Sequence, residues 1–148
     1  KRWATKACIL GHGPWRNDPE NWMQMPTEGY ELMALCDGPF KHSLDSTKYG
    51  SRYPDEDTAE HRRNASKFLM SLNDQLSPNL FGTDPKLADM AILPFVRQFA
   101  HIDQDWFYAQ PWPKLIAWLD AFKTSDHFSA IMGKYPKWHM GDTPTYFP

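Results

Sequence analysis

The stretch from Leu87 to Ala100 constrains this chain more than any other. Leu87, Ala88, Met90, Ala91, Ile92, Leu93, Phe95, Val96, Phe99 and Ala100 leave almost no polar face. A helix that is apolar all round cannot sit on a surface, so other elements must surround it. A strand reading is open for residues 91–96, but the apolar run is too long for a strand and lies between helical patterns. The spacing predicts a central helix over 85–101, opened by Asp84 as cap with Pro85 in the first position and bent at Pro94. A chain of 148 residues is long enough to build one core around it without disulfides or metals.

The flanking segments supply the elements that would surround it. Asp18, Pro19 and Glu20 read as a helix start. Residues 27–49 read as a helix capped by Thr27, with Met33, Cys36, Phe40 and Leu44 on one face and a kink at Gly38 and Pro39. Residues 55–76 form the clearest amphipathic pattern. Asp55, Glu56 and Asp57 complement the positive end of the helix dipole, and Ala65, Phe68, Leu69, Leu72 and Leu76 make the stripe. Residues 111–123 carry Leu115, Trp118, Leu119 and Phe122 on one face, and Ser125 caps a short last helix through Met132. The tail 134–148 reads as irregular. No alternating strand and no hairpin signal occurs, so the expected fold class is all-α, a helical bundle.

Composition excludes several function classes. The 16 basic and 18 acidic residues are mixed along the chain, so there is no basic stripe for nucleic acid. No run approaches the roughly 18 apolar residues that a membrane span needs, and no signal peptide opens the chain. Two cysteines, Cys8 and Cys36, without CxxC spacing imply free thiols in a reducing, cytoplasmic setting. Six histidines are scattered with neither HExxH nor zinc-type Cys/His spacing, so no metal is expected. Phosphate-binding and nucleophile-elbow motifs are absent. The Asn64-Ala65-Ser66 sequon falls inside a helix and reads as accidental.

Two polar residues stand out on the apolar helix. Asp89 sits in its first turn, where a carboxylate can serve backbone N–H groups left open at a helix start. That structural role outweighs a catalytic one, because no pocket partner is identifiable. Arg97, eight residues on, reads equally as a pocket cation or as half of an ion pair between helices.

The segment from Asn79, Leu80, Phe81 and Gly82 through Trp118 resembles the C-terminal helical domain of glutathione transferases, with Ala88-Asp89 as its central-helix signature. Pro111, Pro113, Trp118 and Leu119, then Tyr135, Pro136 and Trp138, are similar to later helices of that family, and Asp37 to Lys41 to the first helix of a bacterial subgroup. Lys86 stands where the family carries Ser or Thr, which breaks its reciprocal capping box. The thioredoxin-like domain that holds the family's thiolate-stabilising residue has no counterpart here, so no catalytic residue is carried over. The resemblance implies residues 1–25 as the end of such a domain plus linker, 26–138 as the helical domain and 139–148 as a tail.

It further implies that the parent protein uses glutathione as co-substrate, acts on a hydrophobic electrophile and forms a homodimer, while this chain alone is inactive. Tyr30, Met33, Asp37, Phe40, Lys41 and Arg97 are the candidate pocket residues, and Asp89 and Trp118 the structural ones. The alternative is a stand-alone helical module that docks proteins or binds small molecules without catalysis.

Overall fold

A computed structural model describes residues 18–52 and 55–144. Its helices are α1 (Thr27–Leu35), α2 (Lys41–Lys48), α3 (Thr58–Gln75), α4 (Leu87–Ala100), α5 (Gln104–Tyr108), α6 (Pro113–Lys123) and α7 (Asp126–Ile131). A π-helical turn, Cys36–Phe40, joins α1 to α2, and a single 3-10 turn, Gly50–Arg52, follows α2. No strand occurs among the described residues; Asn79 and Gly82 form an isolated bridge. The fold is all-α.

The central helix forms as its apolar sequence requires. Pro94 is the only exposed residue of α4, while α1, α5 and α6 pack around the helix. Leu44, Leu69, Leu72, Ile92, Val96, Leu115 and Leu119 are essentially inaccessible and form one core with Trp112 and Phe107. Each such side chain contributes about 1.5–3 kcal/mol of burial. The stripe of α3 is buried at Ala65, Leu69 and Leu72, with Leu76 capping its end.

Four local expectations need correction. The 27–49 helix is not capped by Thr27, which is its first helical residue after Pro26 and makes no cap bond, and it is not one kinked α-helix, because Pro39 has no N–H to give and its ring clashes with the preceding turn. The chain widens there into the π-turn, which keeps Cys36 and Phe40 buried while leaving Gly38 and Pro39 exposed. Asp18 does not start a helix. Its carboxylate accepts from the N–H groups of Trp22 and Met23, both at 2.9 Å, and closes a turn in which Asn21 takes φ 55°. α3 begins at Thr58, with Asp57 as cap accepting from the Ala59 N–H at 2.8 Å, so Asp55 and Glu56 lie outside the helix. α4 begins at Leu87 with Lys86 in the cap position, so neither Asp84 nor Pro85 opens it.

One helix was not anticipated at all. The five residues of α5 follow Asp103, whose carboxylate accepts from the Trp106 N–H at 3.1 Å. The start of α6 is also served from a distance. Trp112 offers it no side-chain acceptor, and Asn73 on α3 accepts from the N–H groups of Lys114 at 3.0 Å and Leu115 at 3.3 Å. Residues 1–17 lie outside the described residues, and with them Cys8 and all but the last eight residues of the proposed 1–25 remnant and linker.

Candidate functional site

At the N-terminal end of α4, Asp89 is fully buried. One carboxyl oxygen accepts from the Leu80 N–H at 3.0 Å and from the Trp118 indole N–H at 3.1 Å. The other accepts from the Lys86 N–H at 2.8 Å. That last bond is one half of a reciprocal capping box; the Lys86 side chain has no acceptor to complete the other half and instead donates to the Asn21 carbonyl. A single carboxyl group thus ties together the loop after α3, the start of α4 and the middle of α6.

Beside this junction lies an open groove of about 720 Å³ between α4, α6 and the loop after α3. Met90, Leu93, Trp118 and Phe122 give it an apolar floor. Its rim carries Glu20 and His127, paired at 3.0 Å. None of the six candidate pocket residues lines this groove.

Those six are distributed as follows. Tyr30, Met33, Asp37 and Lys41 recur at three- and four-residue steps along α1, the π-turn and the start of α2. Tyr30, Met33 and Lys41 are half-buried and Asp37 is exposed. Lys41 forms an ion pair with Asp45 one turn on. Phe40 turns inward, is 2% exposed and stacks on Phe68 with ring centroids 4.7 Å apart, so its ring belongs to the core rather than to an open wall. Arg97 lies over the Phe128 ring, 5.2 Å from its centroid, in a shallow cleft with Leu119 and Lys123. Neither role weighed for Arg97 is visible in full: its guanidinium stacks on an aromatic face, and its buried Nε has no hydrogen-bond partner.

The thiol of Cys36 is buried and pushed up to about 12, chiefly by its burial and then by the neighbouring Asp37 charge, against a smaller lowering by Lys41. It is therefore a thiol and not a thiolate at neutral pH, and has no nucleophilic character to offer. Near the Arg97 cleft, Asp120 accepts from Tyr108 at 2.7 Å and from Lys123 at 3.1 Å. Burial pushes the Asp120 carboxyl up, but these two bonds outweigh it and hold the group below its ordinary range, while Lys123 is raised first by its own bond to the Tyr108 hydroxyl at 3.0 Å and then by Asp120.

Residues 55–121 match the family model for the glutathione S-transferase C-terminal domain. Residues 55–121 belong to the glutathione S-transferase C-terminal domain family. The matched segment contains α3, α4 and α5 and most of α6, and the Asp89 junction lies inside it. α1, the π-turn and α2 precede the matched segment, and α7 follows it. Comparison with curated proteins and with solved structures finds no match. Among the described residues no helix is long and apolar enough to cross a membrane.

The sequence reading missed one constellation, in which His42 and His61 converge on Glu56. Intervals of 14 and 5 residues match no motif, and the meeting depends on how α2 packs against α3.

Proposed function

We propose that this chain is the substrate-side domain of a cytoplasmic, dimeric glutathione transferase that joins glutathione to a hydrophobic electrophile. The observation that carries the reading is the family match over residues 55–121. The reaction is attack of the glutathione thiolate on an electrophilic centre, with the new bond formed to sulfur. The groups that lower the pKa of that thiol would belong to a thioredoxin-like domain outside these residues, since the buried thiol of Cys36 cannot act in their place.

The role of this chain is then to bind and orient the electrophile. Tyr30, Met33, Asp37 and Lys41 form the proposed wall, an apolar body with polar tips along one helical edge, and Phe40 supports it from the core. Arg97, on α4, is the proposed pocket cation. The test is conjugation of chloronitrobenzene and retention on immobilised glutathione, comparing this chain with a longer protein that includes the in-frame upstream sequence. The longer protein should turn over and be retained, and this chain alone should do neither. In the longer protein, Tyr30→Ala and Lys41→Ala should raise KM for the electrophile with little change in KM for glutathione. Turnover by the chain alone, or failure of the longer protein to bind glutathione, would overturn the reading.

A second reading is favoured by the groove itself. Its size and its Met90, Leu93, Trp118 and Phe122 floor suit a small apolar ligand bound without chemistry. Binding there would change the fluorescence of Trp118 with no dependence on glutathione, which separates the two readings.

A further inference from the structure

We propose that His42, Glu56 and His61 form a binding site for one divalent transition-metal ion of the zinc class. The three side chains come from the second residue of α2, from the turn just ahead of α3, and from the first turns of α3. Each offers one ligand atom, and the three atoms lie within 4.8 Å of one another. His61 Nε2 is 2.9 Å and His42 Nε2 is 3.8 Å from the same Glu56 oxygen, and the two imidazole rings meet edge to face at 5.1 Å. Around a tetrahedral zinc with bonds of about 2.0–2.2 Å, ligand atoms stand roughly 3.3 Å apart. The observed spacings bracket that value. The side chain of His42, 54% exposed at the surface, can make the closing movement by rotating about its own torsions.

The donor set selects the metal. Two imidazoles and one carboxylate suit zinc and its neighbours, whereas calcium and magnesium require oxygen shells. Three protein ligands leave a fourth position toward solvent, which water fills.

The surroundings hold this set in place. Glu56 is fixed from behind by Ser46, a buried hydroxyl that donates to its Oε2 at 2.8 Å, as an outer-shell partner does for a ligating carboxylate. The other ring nitrogen of His61, Nδ1, is buried without a hydrogen-bond partner. The tautomer of an imidazole is set by what its second nitrogen bonds. In the metal-free protein His61 directs Nε2–H at the Glu56 carboxylate, 2.9 Å away; an ion bound at Nε2 displaces that proton, and the neutral ring then carries its one proton on Nδ1. The nearby positive charges are engaged elsewhere: Arg62 pairs with Asp103 at 2.9 Å and lies over the Trp106 ring, and Lys41 pairs with Asp45. A bound ion would clamp α2 to α3 across the connection between them.

The test uses the full 148-residue chain, stripped with chelator and titrated with zinc chloride by calorimetry. One zinc ion should bind per chain and raise Tm. His42→Ala and Glu56→Gln should each weaken that binding at least ~10-fold, the loss expected from removing even an outer partner of a metal site, while His127→Ala leaves it unchanged. Because a variant can lose binding by losing its fold, the unmodified protein gives a second readout. The ring signals of His42 and His61 should shift together on zinc addition in nuclear magnetic resonance spectra, and those of His127 and His139 should not. Absence of stoichiometric zinc binding by the unmodified chain overturns the proposal. So does binding that persists at full strength in His42→Ala and Glu56→Gln, or that moves other histidines instead.

Discussion

Asp89 and Glu56 use the same chemical group to hold a connecting segment against helices, and they do it in opposite ways. Asp89 is fully buried, and its three donors are two backbone N–H groups and an indole, none of which can change charge. Glu56 keeps a third of its side chain exposed, and its partners are a hydroxyl and two imidazoles. A buried carboxyl group costs free energy unless every lone pair in use finds a donor, and the α4 junction meets that condition with fixed partners. A partly exposed carboxylate carries a smaller penalty and can exchange its partners for water, a proton or a cation. The first arrangement specifies a fold; the second is where chemistry can enter.

The largest expected effect is at the buried group. Asp89→Ala would strand the N–H groups of Leu80 and Lys86 and the indole of Trp118. Each buried unsatisfied donor costs about 1–3 kcal/mol, so the loss should reach roughly 3 kcal/mol in a denaturant titration. That is a large share of the about 5–15 kcal/mol that holds a domain folded. A loss under about 1 kcal/mol would mean that water or a shifted backbone replaces the carboxyl group, and the contrast with Glu56 would fail.

How far this contrast was legible in the sequence depends on the distance between partners. Asp89 announced itself because a carboxyl group in an otherwise apolar run has to be compensated, and the Lys86 N–H three residues away is its local answer. The Leu80 N–H lies nine residues away across an irregular loop and Trp118 is 29 residues away, and neither separation has a periodic signature. The stripes of α3 and α6 were readable because helical spacing is local. The π-turn was half-readable: Pro39 signals a broken hydrogen-bond ladder but not whether the chain kinks or widens. α5 escaped because five residues are too few to show a period. The Glu56 cluster and the groove were invisible, since both are products of helix packing.

Trp118→Phe sharpens the comparison from the partner's side. It leaves the Asp89 oxygen with one donor in place of two and vacates part of the indole volume beside the groove. A hydrogen bond to a charged group is worth about 1.5–3 kcal/mol, and the expected loss is near the lower end because Leu80 and Lys86 remain. Combining Trp118→Phe with Asp89→Ala should cost less than the sum of the two, because both remove the same bond. Additive losses would show that the indole acts through packing alone.

Glu56→Gln belongs a step lower. The amide keeps an acceptor for Ser46 and loses only the charged acceptor for the imidazoles, at a site that water already reaches. In metal-free protein the cost should be about 0.5–1 kcal/mol. A loss as large as that of Asp89→Ala would make Glu56 a second fold-defining carboxyl group and remove the distinction between the two sites.

The smallest effect tests the half-built cap beside Asp89. Lys86 occupies the cap position of α4 with extended backbone, φ −117° and ψ 174°, the conformation in which a serine side chain bonds back to the helix. Lysine has no acceptor, and its positive charge opposes the positive end of the α4 dipole. Lys86→Ser would give the Ala88 or Asp89 N–H an acceptor and complete the reciprocal box that Asp89 already half forms. Against this, the exposed bond from Lys86 Nζ to the Asn21 carbonyl at 3.2 Å is lost, along with its tie to the turn closed by Asp18. Cap substitutions span about 0.5–2 kcal/mol, and the lost surface bond offsets part of that, so the net gain should be about 0.5 kcal/mol. Asp84→Ala is the control: Asp84 is exposed and lies ahead of the cap, so its removal should change stability by less than about 0.5 kcal/mol. A gain from Lys86→Ser that disappears in the Asp89→Ala background places the cap and the buried carboxyl group in one cooperative unit. A gain that persists there makes the cap independent of Asp89, and a large loss from Asp84→Ala would move the start of α4 upstream of Leu87.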